Sequence, residues 1–343
     1  MTPSSHAPGA PEKSATIHEI AKAAGVSIAS VSRALNGKPG ISAKRREHIL
    51  AISREIHYQP SAAARQLISG KQAVVGISMG RQNIELRPYY ALLYQHLTRV
   101  LHRKGRVPIS FRHDATATLP ERAGSAILLG CFPDDPRPRL LTEQGVAHVR
   151  IGQPGEGFSV MPDDCHGIYL ATRHMIERGR TRIAYLGDDL EAAASRSAEH
   201  RRKLGDAGLY QRIEGYRQAL AESGLAECLI GVLSDHDPTL AGYRRINRLL
   251  QRGEATLDGL VCEKDELAVG ALAAFEDHDI AVPGQVAVTG FDDLPLLAAQ
   301  LTTVRQDIAL IASETVRLLD EAIGGAKPHH VSLPTTLIQR RTT

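Results

Sequence analysis

Apolar positions along the chain follow two rhythms. Up to residue 57 they recur every three or four places: Ile17, Ile20, Ala21 and Ala24, then Val31, Ala34 and Leu35, then Ile49, Ile52 and Ile56. Each set occupies one face of a helix. Thr16 and Glu19 have capping-box spacing, Gly25 ends the first helix, Ser27 caps a second over 28–35, and Ser42 caps a third over 43–57. The tight joint AGVS between the first two predicts a helix-turn-helix unit, closed by a loop at Asn36, Gly37, Pro39 and Gly40.

Beyond residue 72 the rhythm changes to short apolar runs alternating with amphipathic stretches. AVVGISM, VPISF, SAILLG, AHVRIG, TRIAYLG, ECLIGVLS, LDGLVCE and QVAVTGF read as strands. YYALLYQHLTRVLHRKG, GIYLATRHMIERG, RIEGYRQALAESG, YRRINRLLQRG and ELAVGALAAFEDHDI read as helices. Such alternation means mostly parallel sheets covered by helices. The expected organisation is a disordered tail at 1–15, a helix-turn-helix domain at 16–59, and a short helix with linker at 60–71. One α/β lobe is expected from 72–180 with a late return at 307–340, and a second from 181–306. The segment PSAAARQL in the linker is too short to hold a helix alone in water, so it is expected to fold only on a partner. Residues 191–209 read as an insertion.

Charge sharpens the division. Residues 1–71 carry 10 Lys+Arg against 4 Asp+Glu, whereas the whole chain has 41 against 38. A basic head therefore precedes a slightly acidic body, and a phosphate backbone attracts such a head. The 43% hydrophobic and 23% charged residues suit a water-soluble globular protein, and 343 residues are enough for two or three domains. Cys131, Cys165, Cys228 and Cys262 form no CxxC pair and read as buried thiols of a reducing compartment. The opening MTPSSHAPGAPEKSA has no apolar stretch and no segment has membrane-spanning length, so a cytoplasmic location is expected.

A helix-turn-helix unit lays the start of its second helix against base edges. Ile28 and Ala29 there suit thymine methyls, and Arg33 suits guanine or a phosphate. Ile28 can also be read as core. The DNA-facing set is Thr16, Ile17, Ser27, Ile28, Ala29, Ser30, Ser32, Arg33, Asn36, Ser42, Lys44, Arg46, Tyr58, Ser61, Ala64 and Leu67. Ligands of α/β lobes bind beyond the carboxyl ends of the strands. Tyr89, Tyr90, Asp163, Arg212, Lys264, Asp265 and Asp292 fall there and suit a small polar effector, although aspartates at strand ends also cap helices. No phosphate loop, nucleophile elbow, HExxH or metal-site spacing occurs, so no catalytic residue, metal or cofactor is expected.

Head and body together resemble the lactose- and purine-repressor family of bacterial transcription regulators. The likeness rests on TIHEIAKAAGVSIASVSRALNG, ISAKRREHIL and YQPSAAARQL in the head. In the body it rests on PYYALL, LATRHMIERGRTRIAYLG, RIEGYRQAL, VPGQVAVTGFDDLP and LTTVRQD. It implies a periplasmic-binding-like core joined by a hinge helix to the head. It also implies a homodimer on a palindromic operator, and an effector (sugar, sugar acid or nucleoside/base) between the lobes that alters DNA affinity. By the resemblance, Ile28 and Ala29 choose the operator and Arg33 faces the groove. Leu67 wedges the operator centre beside Ala64, and Arg212 and Asp292 hold the effector. Lys264 and Asp164 depart from the asparagines common at those places, and a cation at Lys264 suggests an acidic effector. The rival readings are a stand-alone solute-binding module, which needs an export segment, and an α/β enzyme, which needs a catalytic motif.

Overall fold

The computed structural model describes residues 17–35, 40–55, 74–79, 87–112, 123–131, 135–152, 155–188, 211–232, 237–295, 297 and 299–343. The tail, the segment from 56 to 73 and the segment 189–210 lie outside that set, and with them the expected hinge helix. The chain divides into two compact units, 1–73 and 74–343.

In the first unit, three helices run Ile17–Ala23 (α1), Ile28–Leu35 (α2) and Ala43–Glu55 (α3). Gly25 takes φ +61°, a left-handed turn that an L side chain resists, and the Val26 amide donates back to the Ala21 carbonyl at 3.0 Å. Ser27 then caps α2 by accepting from the Ser30 amide at 3.2 Å. Ile20, Ala21, Val31, Ala34 and Ile49 form the buried core, with Ile52 partly buried against it. A cluster this small has no reserve. Replacing Ile49 with alanine should cost about 2–5 kcal/mol, enough to melt the head. The expected readout is loss of the head's share of the helical circular-dichroism signal with the transition of the larger unit unmoved.

The second unit holds two sheets. The first contains β1 (Val74–Met79), β2 (Val107–Arg112), β3 (Ser125–Leu129), β4 (Ala147–Ile151), β5 (Phe158–Pro162) and β11 (His330–Leu333), all parallel, in the order β11-β5-β4-β3-β1-β2. The second contains β6 (Ile183–Asp188), β7 (Leu229–Val232), β8 (Gly259–Cys262), β9 (Ala287–Asp292), β10 (Thr302–Gln306) and β12 (Thr335–Ile338), in the order β12-β10-β9-β8-β6-β7. Only β12 runs antiparallel, against β10. Each order reverses direction once, between β1 and β3 and between β6 and β8, which opens a crevice at the carboxyl ends of those strands.

Helix α4 (Pro88–Arg103) buries Leu93, Leu97 and Leu101 in the first lobe, where α10 (Ile308–Ile323) adds Ile311, Val316 and Leu319. In the second lobe, α6 (Asp164–Glu177) and α7 (Gln211–Glu222) cover one face, and α8 (Pro238–Gln251) and α9 (Asp265–Asp277) the other. Each pair crosses on a glycine. A Cβ on Gly215 would lie 2.0 Å from the Cys165 carbonyl oxygen, and one on Gly270 2.0 Å from that of Thr239.

The lobe limits differ from the sequence expectation. Helix α6 packs on α7 and on β8 to β10, so the second lobe begins at about 163 and not at 181. The chain returns to the first lobe with α10 and β11, then crosses again, because β12 pairs with β10. Three strands of chain thus join the lobes. Helix α5 (Pro136–Glu143) was not anticipated. Its sequence PRPRLLTE has no apolar face, and half of what it buries is Arg137.

Candidate functional site

In the head, the surface around the start of α2 is open. Ser27, Ile28 and Ala29 are exposed, and Ile28 at 43% is too exposed for the core role the sequence also allowed. Ser27 is partly committed as the cap and also lies 3.0 Å from the Ser30 hydroxyl. Arg33 is exposed and runs over Gly40, where a Cβ would sit 3.7 Å from its Cδ. At the start of α3, Ser42 Oγ accepts from the Arg45 amide at 3.4 Å, and Lys44 and Arg45 are exposed. Arg46 is half-buried. The side chains of Ile17 and Ser32, and the whole of Thr16, Asn36, Tyr58, Ser61, Ala64 and Leu67, lie outside the described residues.

In the larger unit, a polar cluster forms at the carboxyl ends of the strands. Arg212, at the start of α7, is its centre. Its Nε donates to Asp164 Oδ2 at 2.9 Å, its Nη1 to the Glu263 carbonyl, and its Nη2 lies 3.6 Å from Asp292 Oδ1. The guanidinium also sits 3.8 Å above the Phe291 ring. Burial disfavours its charge, but Asp164, Asp292 and Glu263 more than offset that and raise its pKa. Asp292 ends β9 with φ +111°, followed by Asp293 at +54°. Such angles in two successive non-glycine residues are strained and persist only where the surroundings hold them. Asp293 is held by Arg305 at 2.6 Å and Arg340 at 2.7 Å.

The cluster spans the lobes. Gln306, at the end of β10, donates to Asp292 Oδ1 at 2.5 Å and accepts from the Tyr89 hydroxyl of α4 at 3.2 Å. Tyr90 packs edge-on against Tyr89 at 5.1 Å. Burial pushes both phenols up, Tyr90 to about 12, so both remain neutral donors. Burial likewise holds the Asp292 carboxyl well above the usual range, with Arg212 pulling the other way.

Of the expected effector residues, Tyr89, Arg212 and Asp292 are brought together. Asp163 instead caps α6, accepting from the His166 amide at 3.0 Å. Asp265 is fully buried and ties the fold: its oxygens accept from the Leu294 amide at 2.8 Å and the Thr303 hydroxyl at 2.6 Å. Lys264 is buried at the N-cap of α9 and already engaged. Sequence reasoning missed Gln306, Phe291 and Glu266, although Gln306 sits inside the LTTVRQD stretch. It also missed Arg137. That side chain closes the mouth between β1 and β3, donating to the Ser78 carbonyl at 3.0 Å and the Leu129 carbonyl at 3.1 Å while paired with Asp135 at 2.6 Å.

Burial lifts the Asp265 carboxyl to about 7. A folded-state pKa above the unfolded one contributes stability that is complete below the unfolded value near 3.8 and is lost as pH rises through about 7. A carbon-13 titration of the aspartate carboxyls, assigned with Asp265→Asn, should show this one changing near neutrality, and a midpoint near 4 would contradict it.

Two family descriptions match this chain: "Bacterial regulatory proteins, lacI family" over residues 16–61, and "Periplasmic binding protein-like domain" over residues 172–343. The HTH-type transcriptional regulator MalR of Streptomyces coelicolor is 31% identical over 354 aligned residues, spanning 94% of this chain and 95% of that one. Among solved structures, a transcriptional regulator CelR–cellobiose complex matches with a TM-score of 0.67 and 25% identity, over 96% of this chain and all of that one (100%). The lac repressor dimer bound to operator and the anti-inducer ONPF matches with a TM-score of 0.79 over 96% and 99%, and at 21% identity that likeness concerns the fold.

Proposed function

The chain belongs to the lacI family of bacterial regulatory proteins, and from that membership we propose a repressor that binds a palindromic operator as a homodimer under control of a small carbohydrate effector. The observation that carries this reading is one chain bearing both an exposed start of α2 in a basic head and a buried Arg212–Asp292–Gln306–Tyr89 chain of polar contacts across two lobes. A transport module has no use for the first, and the relatives are regulators, not enzymes. The relatives' printed partners, an operator for the lac repressor and cellobiose for CelR, support the two partner classes.

In the head, Ile28, Ala29 and Arg33 read base edges, while the Ser42 helix start, Lys44 and Arg46 hold phosphates. Two heads on one palindrome place their half-sites a fixed number of helical turns apart. In the core, the effector replaces or extends the contacts among Tyr89, Gln306, Asp292 and Arg212. Because these belong to different lobes joined by only three crossings, the effector changes the angle between lobes. Effector and operator then compete or cooperate through one two-state equilibrium, and each must alter the other's affinity by the same factor. The protein works where DNA is, in the cytoplasm.

Selection of duplexes from a random pool by the full-length protein tests this. The expected winner is an inverted repeat whose binding weakens with salt, with a log–log slope set by the phosphates contacted, and shifts on adding a carbohydrate. Recovery of no preferred sequence would sink the reading.

A further inference from the structure

The polar cluster is not complete in itself. Two buried carboxyl oxygens at these strand ends have no donor among the described residues. Glu266 Oε2 is buried with no hydrogen-bond partner, and the whole residue is only 4% exposed. Asp164, though partly exposed, has its Oδ1 buried without a partner, while its Oδ2 holds Arg212. Glu266 is the second residue of α9, at the carboxyl end of β8, and its charge acts on Asp292 together with those of Asp265 and Asp164. Asp265 is an acceptor already used twice, and Arg212 is spent on Asp164, Asp292 and the Glu263 carbonyl.

A buried acceptor left without a donor is destabilising, and more so when charged. Leaving two among the carboxylates that act on Asp292 is consistent with a donor that arrives from outside. The charge balance says what kind. Asp164, Asp292 and Glu263 act on Arg212, and Glu266, Asp265 and Asp164 act in turn on Asp292, with Lys264 the other cation of this strand end. An incoming acid would add charge of the sign already in excess. The acidic effector suggested by Lys264 alone therefore does not fit its surroundings.

We propose that Glu266 and Asp164 are the specificity-determining end of the effector subsite, receiving a hydroxyl or ammonium donor of a polyhydroxylated ligand and turning away the corresponding sugar acid. This rests on the effector reading above and deepens it. The two donor sources, a neutral sugar and an amino sugar, differ in charge and so can be told apart.

The experiment uses full-length protein and two matched series: D-glucose, D-glucosamine and D-glucuronate, and D-galactose, D-galactosamine and D-galacturonate. Thermal shift and calorimetric titration are run on the wild type and on Glu266→Gln. Within a series that binds, the neutral or amino sugar should bind at least about tenfold tighter than the acid, a difference of about 1.4 kcal/mol. Glu266→Gln should erase any preference for the amine over the neutral sugar. Without ligand, the same variant should melt higher, by about 2 °C, since it removes a buried charge facing like charges. Tightest binding of the acid overturns the proposal, and so does a lower ligand-free melting temperature, which would mean that Oε2 has a partner within the protein. No response to any sugar removes the carbohydrate reading of the cleft. A palindrome still selected in that case would leave the operator reading standing.

Discussion

Replacing Arg212 with alanine should abolish the response to effector and destabilise the core by about 3–5 kcal/mol, while leaving effector-free operator binding in place. The magnitude follows from what remains behind. Asp164 and Asp292 lose their shared counter-ion within a region where the Arg212 side chain itself is only 19% exposed, and the Phe291 ring loses the cation above it. The pH dependence distinguishes this from simple loss of packing. Burial already raises the Asp292 pKa and Arg212 opposes that rise, so its removal lets the carboxyl climb further. A folded-state pKa above the unfolded value means stability that is lost as pH increases. The deficit of the variant, measured by urea unfolding, should therefore widen as pH rises. Arg212→Lys should recover part of the stability but not the effector response, because an ammonium cannot reach Asp164, Asp292 and the Glu263 carbonyl in one plane. An alanine variant with an unaltered effector response would remove Arg212 from the site.

Truncating Leu67 to alanine should weaken operator binding about a hundredfold, roughly 2.7 kcal/mol, with effector binding retained. Leu67 lies outside the described residues, so this expectation rests on sequence. PSAAARQL has room for about two helical turns, below the length that is stable alone in water. A large apolar side chain there, forced between base steps in the minor groove, is worth a few kcal/mol through the bend it permits. Fluorescence anisotropy at fixed salt, using the selected palindrome and a half-site of it, measures the loss. The deficit should be large on the full palindrome and small on the half-site, where no operator centre is present to be wedged. Equal affinity of both proteins for the palindrome would return Leu67 to a packing role.

Much of the local structure was legible in the residues. Capping at Ser27 and Ser42, the turn at Gly25, and the apolar faces of α1 to α4 depend on neighbours three or four places apart, and a sequence displays those directly. The basic head was legible too, because charge needs no fold to be counted. Helix α5 escaped because its buried face is carried by Arg137, which its sequence presents as a surface residue.

The sequence alone determined the classes of element, the division into a small basic head and an alternating α/β body, and the kind of chemistry at the strand ends. Tertiary structure decided which strand ends meet. Tyr89, Asp164, Arg212, Glu266, Asp292 and Gln306 come from six elements across more than 200 residues; packing of the second lobe gathers five of them at its strand ends, and the crossings between lobes bring Tyr89 to Gln306. It also separated Asp163 and Asp265, used as cap and tie, from Asp292, which faces Arg212. Adjacent aspartates look alike in a string of letters. Their roles diverge because a hydrogen-bond partner is a matter of distance in space, and sequence separation does not fix it.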